Sequence, residues 1–247
     1  MSDQTPEISV VIPAHNEAGN LAPLLEEIAA ALPAERPYEV VVVDDGSTDG
    51  TAQELDASRA TYPALRVIRH SKASGQSRAL VTGITQAHGR LIVTLDGDGQ
   101  NDPADIPALL QAYAQAEKPA LVVGHRRNRK DSWSKRYTSW IARDLRRLLL
   151  GDRIPDSGCS LKVFDRETFL TLPQFNHMHR FLTVLWQRSG GQTVSVSVNH
   201  RPRGNGSSKY GFFDRLWAAF IDLFGVMWLR LRHVRVEAEE ITPPGAD

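Results

Sequence analysis

Short apolar runs alternate along the chain with segments that carry apolar residues at helical spacing. Runs rich in β-branched residues predict strands, and apolar residues every three to four positions predict helices. Strands are predicted at 8–12, 38–43, 65–68, 91–95, 120–123 and 193–198. Helices are predicted at 17–32, 76–87, 104–116, 180–189 and 212–233, with a strand and helix unit at 161–172. This alternation predicts an α/β fold with a mostly parallel sheet and helices on both faces.

Polar clusters directly follow three of the predicted strands. They are His15-Asn16-Glu17, Asp44-Asp45-Gly46-Ser47 and Asp96-Gly97-Asp98. Ligands of α/β sheets bind in the crevice at the carboxyl ends of the strands. We therefore expect the three clusters to meet in one site.

Composition fits one folded domain with appendages. Of the 247 residues, 41% are hydrophobic and 23% are charged, as in ordinary globular proteins. No repeat or linker divides the chain, so we expect one domain over 1–211, an apolar and basic helix over 212–235 and a flexible tail over 236–247. One cysteine, Cys159, excludes an internal disulfide, and the polar N-terminus lacks a signal core, so we expect a reducing, cytosolic setting.

Two segments are candidates for a membrane surface. The 29 basic and 29 acidic residues balance, yet 125–153 is rich in Lys and Arg and places Trp133 and Trp140 near one helical face, which is typical of an amphipathic interface helix. Packing against the sheet is the alternative. The apolar stretch from Leu216 to Leu229 contains Asp222 and is shorter than the roughly 17 to 25 residues that cross a bilayer. We expect it to lie on a membrane or against a second copy of the chain.

Asp96 and Asp98 flank one glycine at the end of a buried strand, and Gln100 follows. Two carboxylates and an amide oxygen at this spacing can face one hard cation, Mg²⁺ or Mn²⁺, that keeps positions for a diphosphate. An acidic β-turn is the alternative, because Asp-Gly pairs are common in turns. The buried strand and the other two clusters favour the metal site.

Two sets of motifs carry a family resemblance. VVIPAHNE (10–17), VDDGSTD (43–49) and LDGDGQ (95–100) resemble the signatures of family 2 inverting glycosyltransferases with the A-type, Rossmann-like fold. DSGCSLK (156–162), HRFL (179–182) and RPRGNGSSKY (201–210) resemble the dolichyl-phosphate mannose synthase branch and its bacterial undecaprenyl-phosphate relatives. The resemblance implies transfer of a hexosyl group from a nucleotide-diphosphate sugar, GDP-mannose or a UDP-sugar, to a polyisoprenyl phosphate with inversion at the anomeric carbon.

The resemblance also implies roles for individual residues. The donor nucleotide would be bound by Pro13, Ala14, Glu17, Asp45 and Asp96, with Arg201, Arg203 and Lys209 closing over it. The metal would be bound by Asp96, Asp98 and Gln100. The acceptor phosphate would be bound by Arg126, Lys135 and Ser139. Helix-start and turn chemistry is the alternative for Glu17 and Asp45, and a solvated basic surface is the alternative for each arginine.

The nature of the acceptor decides the mechanism. A hydroxyl acceptor needs a general base, whereas a phosphate monoester with a second pKa of about 6 is mostly dianionic at neutral pH. Catalysis would then rest on Asp98, Arg126 and Arg203, which hold the metal and the two phosphates. Asp156 is expected to accept hydrogen bonds from the transferred sugar, and it would be the base if the acceptor were a hydroxyl. His179 and Arg180 lie near the sugar or the phosphates in this interpretation, and simple packing is their alternative.

Three other functions fit parts of the sequence. A family 2 transferase acting on a hydroxyl acceptor in polysaccharide or lipopolysaccharide assembly would share the first half of the chain. A non-catalytic nucleotide-sugar or lipid-binding module is disfavoured by the intact Asp96 and Asp98 pair, and nucleic-acid binding lacks a recognition motif. Many members of the resembling family carry further transmembrane helices. Since this chain stops after the apolar helix, we expect peripheral attachment to the cytoplasmic face of a membrane.

Overall fold

The computed structural model of the protein describes residues 5–32, 36–126, 147–152, 154–202 and 212–232, with the backbone alone over 212–220. Seven strands form one sheet: β1 (Ile8–Ala14), β2 (Tyr38–Asp44), β3 (Leu65–Arg69), β4 (Leu91–Thr94), β5 (Ala120–Arg126), β6 (Lys162–Asp165) and β7 (Gln192–Val198). The labelled helices are α1 (Leu21–Ala31), α2 (Thr51–Ser58), α3 (Gln76–Gln86), α4 (Ile106–Gln115), α5 (Arg166–Leu170), α6 (Leu182–Arg188) and α7 (Phe212–Leu231). Two 3₁₀ turns lie at Pro103–Asp105 and Met178–Arg180.

The strand order is β3-β2-β1-β4-β6-β5-β7. All neighbouring strands are parallel except for β6, which runs antiparallel to both β4 and β5. The predicted α/β fold with a mostly parallel sheet is confirmed. Because β1 lies between β2 and β4, the order of the strands reverses between β1 and β4. Such a reversal opens a crevice at the carboxyl ends of these two strands, where α/β proteins bind their ligands.

The core forms on both faces of the central strands. Consecutive residues of β1 and β2, among them Val10 to Ile12 and the four valines at 40–43, are buried, as in strands that helices cover on both sides. Helix α1 buries the apolar face that its sequence period predicts, through Leu21, Leu24, Leu25 and Ile28. The helices that flank the crevice therefore stand on a rigid sheet.

Two elements differ from the sequence expectation. Helix α2 was not predicted, because Leu55 is the only large apolar residue that its short, polar sequence buries. Helix α1 begins at Leu21 and not at residue 17, because 15–20 form a loop bonded to the loop after β2. Most of the expected basic helix at 133–150 lies outside the described residues, as does the tail at 236–247.

Helix α7 has one packed face and one open face. Leu223 and Val226 join a small apolar cluster with Leu150, Phe181 and Val184. Large apolar side chains on the same helix remain exposed: Ile221, Phe224, Trp228 and Leu231. In the part of the chain that the structure describes, no helix combines the length and hydropathy needed to cross a membrane. The expectation that α7 lies on a membrane surface or meets a second copy stays a prediction.

Candidate active site

Hydrogen bonds join the loops after β1 and β2 into one surface. The backbone N–H of Asn16 donates to Ser47 Oγ at 3.0 Å, and Asn16 Oδ1 accepts from the backbone N–H of Thr48 at 2.8 Å. The backbone N–H of Asp45 donates to the carbonyl of Ala14 at 2.8 Å. Asn16 has a left-handed backbone with φ 56, a conformation that asparagine tolerates better than most residues. The first two polar clusters are thus held at fixed positions relative to each other.

The two adjacent aspartates of the second cluster do different things. Asp44 accepts from the backbone N–H of Ser47 and from Arg69, which fixes the turn. Asp45 points to the next loop and accepts from His70 Nδ1 at 2.7 Å and from the backbone N–H groups of 74 and 75. Burial alone would raise the pKa of Asp45, but these hydrogen bonds outweigh burial and lower it. Asp45 is therefore held as a carboxylate.

Gly46 shows why this turn needs glycine. Its φ is +66, and a Cβ atom there would lie 2.6 Å from backbone atoms of both Lys72 and Ala73. Any side chain would push the 72–75 loop away from Asp45. Gly46 therefore permits the turn that delivers the Asp45 carboxylate to the crevice.

A cleft of about 270 Å³, here called the outer cleft, opens at the carboxyl ends of β1, β2 and β4. Its lining residues are Pro13, Ala14, His15, Glu17, Asp45, Gln76, Ala79, Asp96, Gly97 and Asp98. The three polar clusters of the sequence therefore meet in one place. Six residues with predicted donor or metal roles line the cleft: Pro13, Ala14, Glu17, Asp45, Asp96 and Asp98. Their individual roles stay predictions.

The acidic pair lies at the inner end of the outer cleft. Burial, and second to it the negative charge of Asp98, raise the pKa of Asp96. Gln76 Nε2 donates to Asp96 Oδ1 at 2.7 Å, and Asp98 Oδ1 accepts from the backbone N–H of Gln100 at 3.1 Å. Two partly desolvated carboxylates that repel each other fit a hard divalent cation.

The described residues contain no group of three or more His, Cys, Asp or Glu side chains that could hold a metal. Magnesium is commonly bound by one or two carboxylates together with substrate phosphates. The donor set thus fits a cation that arrives with a diphosphate. The Gln100 side chain is not among those lining the outer cleft in the described structure.

The segment after β7 returns to the acidic motif. The backbone N–H of Arg201 donates to the carbonyl of Gln100 at 3.0 Å, and His200 pairs with Asn101. The Arg201 guanidinium contacts Glu27 and Asp102, each at 2.7 Å. Arg201 therefore anchors this segment through its side chain, a contact that the sequence did not predict. Arg203 and Lys209 lie outside the described residues.

A second cavity of about 370 Å³, here called the inner cavity, adjoins the outer cleft and shares Gln76 and Asp96 with it. Its polar lining consists of Gln76, Ser77, Thr94, Asp96, Ser160, Lys162, His179 and Arg180. The rest of its lining consists of Leu80, Ile84, Leu95, Gly158, Phe164, Phe169, Met178 and Leu182. Elements far apart in sequence thus enclose one space beside the acidic pair.

Arg126 and Asp156, for which separate roles were predicted, bind each other. Arg126 Nε and one terminal nitrogen contact the two carboxylate oxygens of Asp156 at 2.6 and 2.7 Å. The hydrogen bonds that Arg126 donates to Asp156 raise the pKa of Arg126, so the guanidinium stays charged. A Cβ atom on Gly158, which lines the inner cavity, would lie 4.0 Å from both side chains. The ion pair therefore stands beside the inner cavity. Lys135 and Ser139 lie outside the described residues.

Sequence reasoning missed several residues of the site. Gln76 and Ser77 open α3 directly after Gly75, so their position at the end of a strand-to-helix loop was the available signal. Lys162 starts β6, and its Nζ donates to the carbonyl of Cys159 beneath the inner cavity. Lys162 ends the DSGCSLK motif, so the family resemblance was the available signal, but no role was predicted for this residue because its neighbours in space come from distant segments.

The strand order, with an acidic cleft between β1 and β4, agrees with the A-type, Rossmann-like fold that the motifs predicted. The chain belongs to glycosyl transferase family 2, which it matches over residues 9–172. This confirms the family and the enzyme class predicted from the motifs.

The chain is similar in sequence to two transferases whose names state their lipid substrates. A dodecaprenyl-phosphate galacturonate synthase of Rhizobium johnstonii is 36% identical over 233 residues, covering 91% of this chain and 68% of the relative. An undecaprenyl-phosphate 4-deoxy-4-formamido-L-arabinose transferase of Proteus mirabilis is 36% identical over 209 residues, covering 83% of this chain and 63% of the relative. The chain therefore spans about two thirds of the length of these relatives.

Solved structures agree with the fold. Glucosyl-3-phosphoglycerate synthase from Mycobacterium tuberculosis, in complex with Mg²⁺ and uridine diphosphate, superposes with a TM-score of 0.68 at 23% identity, covering 91% of this chain and 79% of that one. A second structure of that enzyme, with Mn²⁺, UDP-glucose and phosphoglyceric acid, gives a TM-score of 0.67. At this identity the likeness establishes the fold alone.

Proposed function

We propose that the protein transfers a sugar from a nucleotide-diphosphate donor to the phosphate of a polyisoprenyl phosphate, with inversion at the anomeric carbon. The observation that carries the proposal is a charged arginine, Arg126, which Asp156 fixes beside the inner cavity that shares Asp96 with the outer cleft. A positively charged guanidinium beside an acidic, metal-binding cleft suits a reaction that brings two phosphates together. The two relatives whose names specify polyprenyl-phosphate substrates support this choice of acceptor.

On the donor side, the outer cleft would take the nucleotide. Glu17 and Asp45 can accept hydrogen bonds from the N–H groups of a base or the hydroxyls of a ribose. Asp96, Asp98 and Gln100 would hold Mg²⁺ or Mn²⁺. When bound there, the cation would neutralise the negative charge of the departing diphosphate. Structural relatives crystallised with Mg²⁺ or Mn²⁺ and a uridine nucleotide support this assignment.

On the acceptor side, no general base is required. A dianionic phosphate is already a nucleophile, so the protein has to hold it against the repulsion of the donor diphosphate. The Arg126 guanidinium stays protonated, so its positive charge attracts phosphate oxygens although two of its nitrogens bind Asp156. We assign Asp156 the task of orienting Arg126, because both of its oxygens bind that guanidinium. Lys135 and Ser139 keep the role in binding the acceptor phosphate that the family resemblance implies, and Arg203 and Lys209 keep their role in closing over the donor.

The acceptor places the reaction at a membrane, and we propose peripheral attachment at the cytoplasmic face. The open face of α7 supports this part of the proposal, since Trp228 is 59% and Leu231 is 77% exposed. Arg230 and Arg232 lie at the end of the same helix, and basic residues favour anionic headgroups. Apolar and basic side chains on one helix are what an interfacial helix requires.

The test combines an acceptor comparison with one substitution. The protein would be incubated in detergent with a panel of nucleotide sugars. The acceptor would be either undecaprenyl phosphate or undecaprenol, and the glycolipid product would be measured by mass spectrometry. We expect product with the phosphate and none with the alcohol. Asp98→Asn should lower kcat at least about 100-fold, since it removes stabilisation of developing charge. Asp56→Asn, on the exposed side of α2, is the matched control.

Two results would contradict the proposal. Efficient transfer to the alcohol would assign the protein to the hydroxyl-acceptor transferases. Full activity of Asp98→Asn, or full activity in the presence of excess chelator, would remove the acidic pair and the cation from the mechanism.

A further inference from the structure

The inner cavity adjoins the position that the proposed function gives to the donor diphosphate. It shares Gln76 and Asp96 with the outer cleft, so the acidic pair lies at the boundary between the two spaces. A donor with its nucleoside in the outer cleft and its diphosphate at this boundary directs its sugar into the inner cavity. This step rests on the proposed function. The volume of about 370 Å³ is within the range of small-molecule sites, about 300 to 1,000 Å³.

The side chain of His179 in this cavity is oriented by Ser77. Its Nδ1 lies 2.6 Å from Ser77 Oγ, and its backbone N–H lies 3.5 Å from the same oxygen. Ser77 follows Gln76, whose side chain donates to Asp96 at 2.7 Å. His179 and Asp96 therefore both bind side chains of the first turn of α3. These hydrogen bonds fix the imidazole relative to Asp96.

The contact between Ser77 and His179 is compatible with a neutral imidazole that carries its proton on Nε2. When the hydroxyl accepts from the backbone N–H and donates to Nδ1, the ring proton resides on Nε2. Nε2 forms no hydrogen bond to the described residues, and part of its surface is accessible. Burial, with the positive charges of Arg180 and Lys162, lowers the pKa of His179 to about 3. The side chain is then a neutral N–H donor and not a base at physiological pH.

We propose that the inner cavity is the subsite of the transferred sugar and that His179 donates its Nε2 hydrogen to one sugar hydroxyl, which makes His179 a specificity-determining residue. A neutral donor suits a hydroxyl, because it pairs with a lone pair and adds no charge beside the metal-binding carboxylates. Removing the hydroxyl leaves a half-buried donor without a partner. Sites of this kind discriminate against the analogue that lacks the group.

The experiment crosses donor analogues with variants of the full chain. The accepted nucleotide sugar and its monodeoxy analogues would be compared as donors to undecaprenyl phosphate, with kcat/KM measured for each. For the wild type, one deoxy position should cost roughly 10- to 100-fold, the effect of leaving one buried donor unpaired. In His179→Phe the penalty at that position should fall below about threefold, while the penalties at the other positions persist.

Two further variants guard against a folding artefact. Ser77→Ala keeps the imidazole but removes the group that orients it, so it should reduce the same penalty in part. His177→Asn is the matched control, because His177 is on the same turn but binds Asp222 of α7 at 2.8 Å and does not line the cavity. Asparagine also tolerates the φ of 64 at this position. The control should keep the wild-type pattern, and all variants should bind the free nucleoside diphosphate with wild-type affinity in calorimetry.

The outcomes separate the two proposals. An unchanged deoxy pattern in an active His179→Phe would overturn the role of His179 while leaving the transferase activity intact. An effect of His179→Phe on the KM of the acceptor alone would place the acceptor in the inner cavity and would also overturn the inference. A wild type that uses no nucleotide sugar would overturn the proposed function and the inference together.

Discussion

Substituting Arg126→Gln, Asp156→Asn and both residues together would measure how strongly this ion pair supports the site. The pair is bidentate, with contacts of 2.6 and 2.7 Å. The exposed fractions of the two side chains are only 17% and 8%. Either single substitution removes the opposite charge that faces a buried charge, whereas the double variant leaves two neutral groups that can bond to each other.

The magnitude follows from this geometry. Two hydrogen bonds between charged groups contribute about 1.5 to 3 kcal/mol each. Breaking one partner of a buried pair typically costs about 3 to 5 kcal/mol. We therefore expect each single variant to lose roughly 3 kcal/mol or more of its free energy of unfolding. The double variant should lose less than the sum of the two single losses, by at least about 1 kcal/mol.

Urea denaturation of the four proteins, followed by circular dichroism, gives the four free energies of unfolding. Losses that add to within about 0.5 kcal/mol would refute the coupling. Activity distinguishes the roles of the partners, because Asp156 is proposed to act through Arg126. Asp156→Asn should raise the KM for polyprenyl phosphate in the same direction as Arg126→Gln, and an Asp156→Asn variant with the wild-type KM would contradict the positioning role.

Three other predictions follow from single sites. In Gly83→Ala, the new methyl would lie 2.5 Å from Val11 Cγ1, so urea denaturation should show a loss of about 1 to 3 kcal/mol, although alanine favours helices by about 1 kcal/mol. Folding lowers the pKa of Asp45, so its stabilising effect is present above the unfolded pKa of about 3.9 and is lost as pH falls through the lower folded value. Asp45→Asn should accordingly flatten the acid side of a plot of Tm against pH, and an unchanged plot would contradict the assigned hydrogen bonds. Combined Phe224→Ser and Trp228→Ser should weaken sedimentation with anionic vesicles about tenfold or more without changing the circular dichroism spectrum; unchanged sedimentation would exclude this face of α7 as the attachment surface.

The strands and the meeting of the three polar clusters were readable from the sequence because both depend on short segments. Buried parallel strands need continuous apolar runs, and the four valines at 40–43 form such a run in the sequence as in the structure. The carboxyl ends of parallel strands share one edge of the sheet, so residues that follow strands meet there. Asp45 and Asp96 could be assigned to one cleft by this rule alone.

Contacts between distant segments could not be read in this way. Arg126 and Asp156 are 30 residues apart, and Ser77 and His179 are 102 apart. A local pattern carries no information on which distant polar groups will pair, because packing of the whole chain decides those distances. Asp156 was expected to bind the transferred sugar. Its ion pair with Arg126, which no local pattern predicts, is the reason that we assign it a positioning role instead.

By itself, the sequence determined the fold class, the family and the cleft of acidic residues, since periodicity and local motifs encode all three. Only the tertiary structure placed the antiparallel β6 between β4 and β5, which brings Ser160 and Lys162 against the acidic pair. It likewise set the turn at Met178–Arg180 over the start of α3 and so enclosed the inner cavity. The physical reason is that the free energy of the entire packed chain decides which strands are neighbours and which residues line a cavity. No short segment determines that free energy by itself.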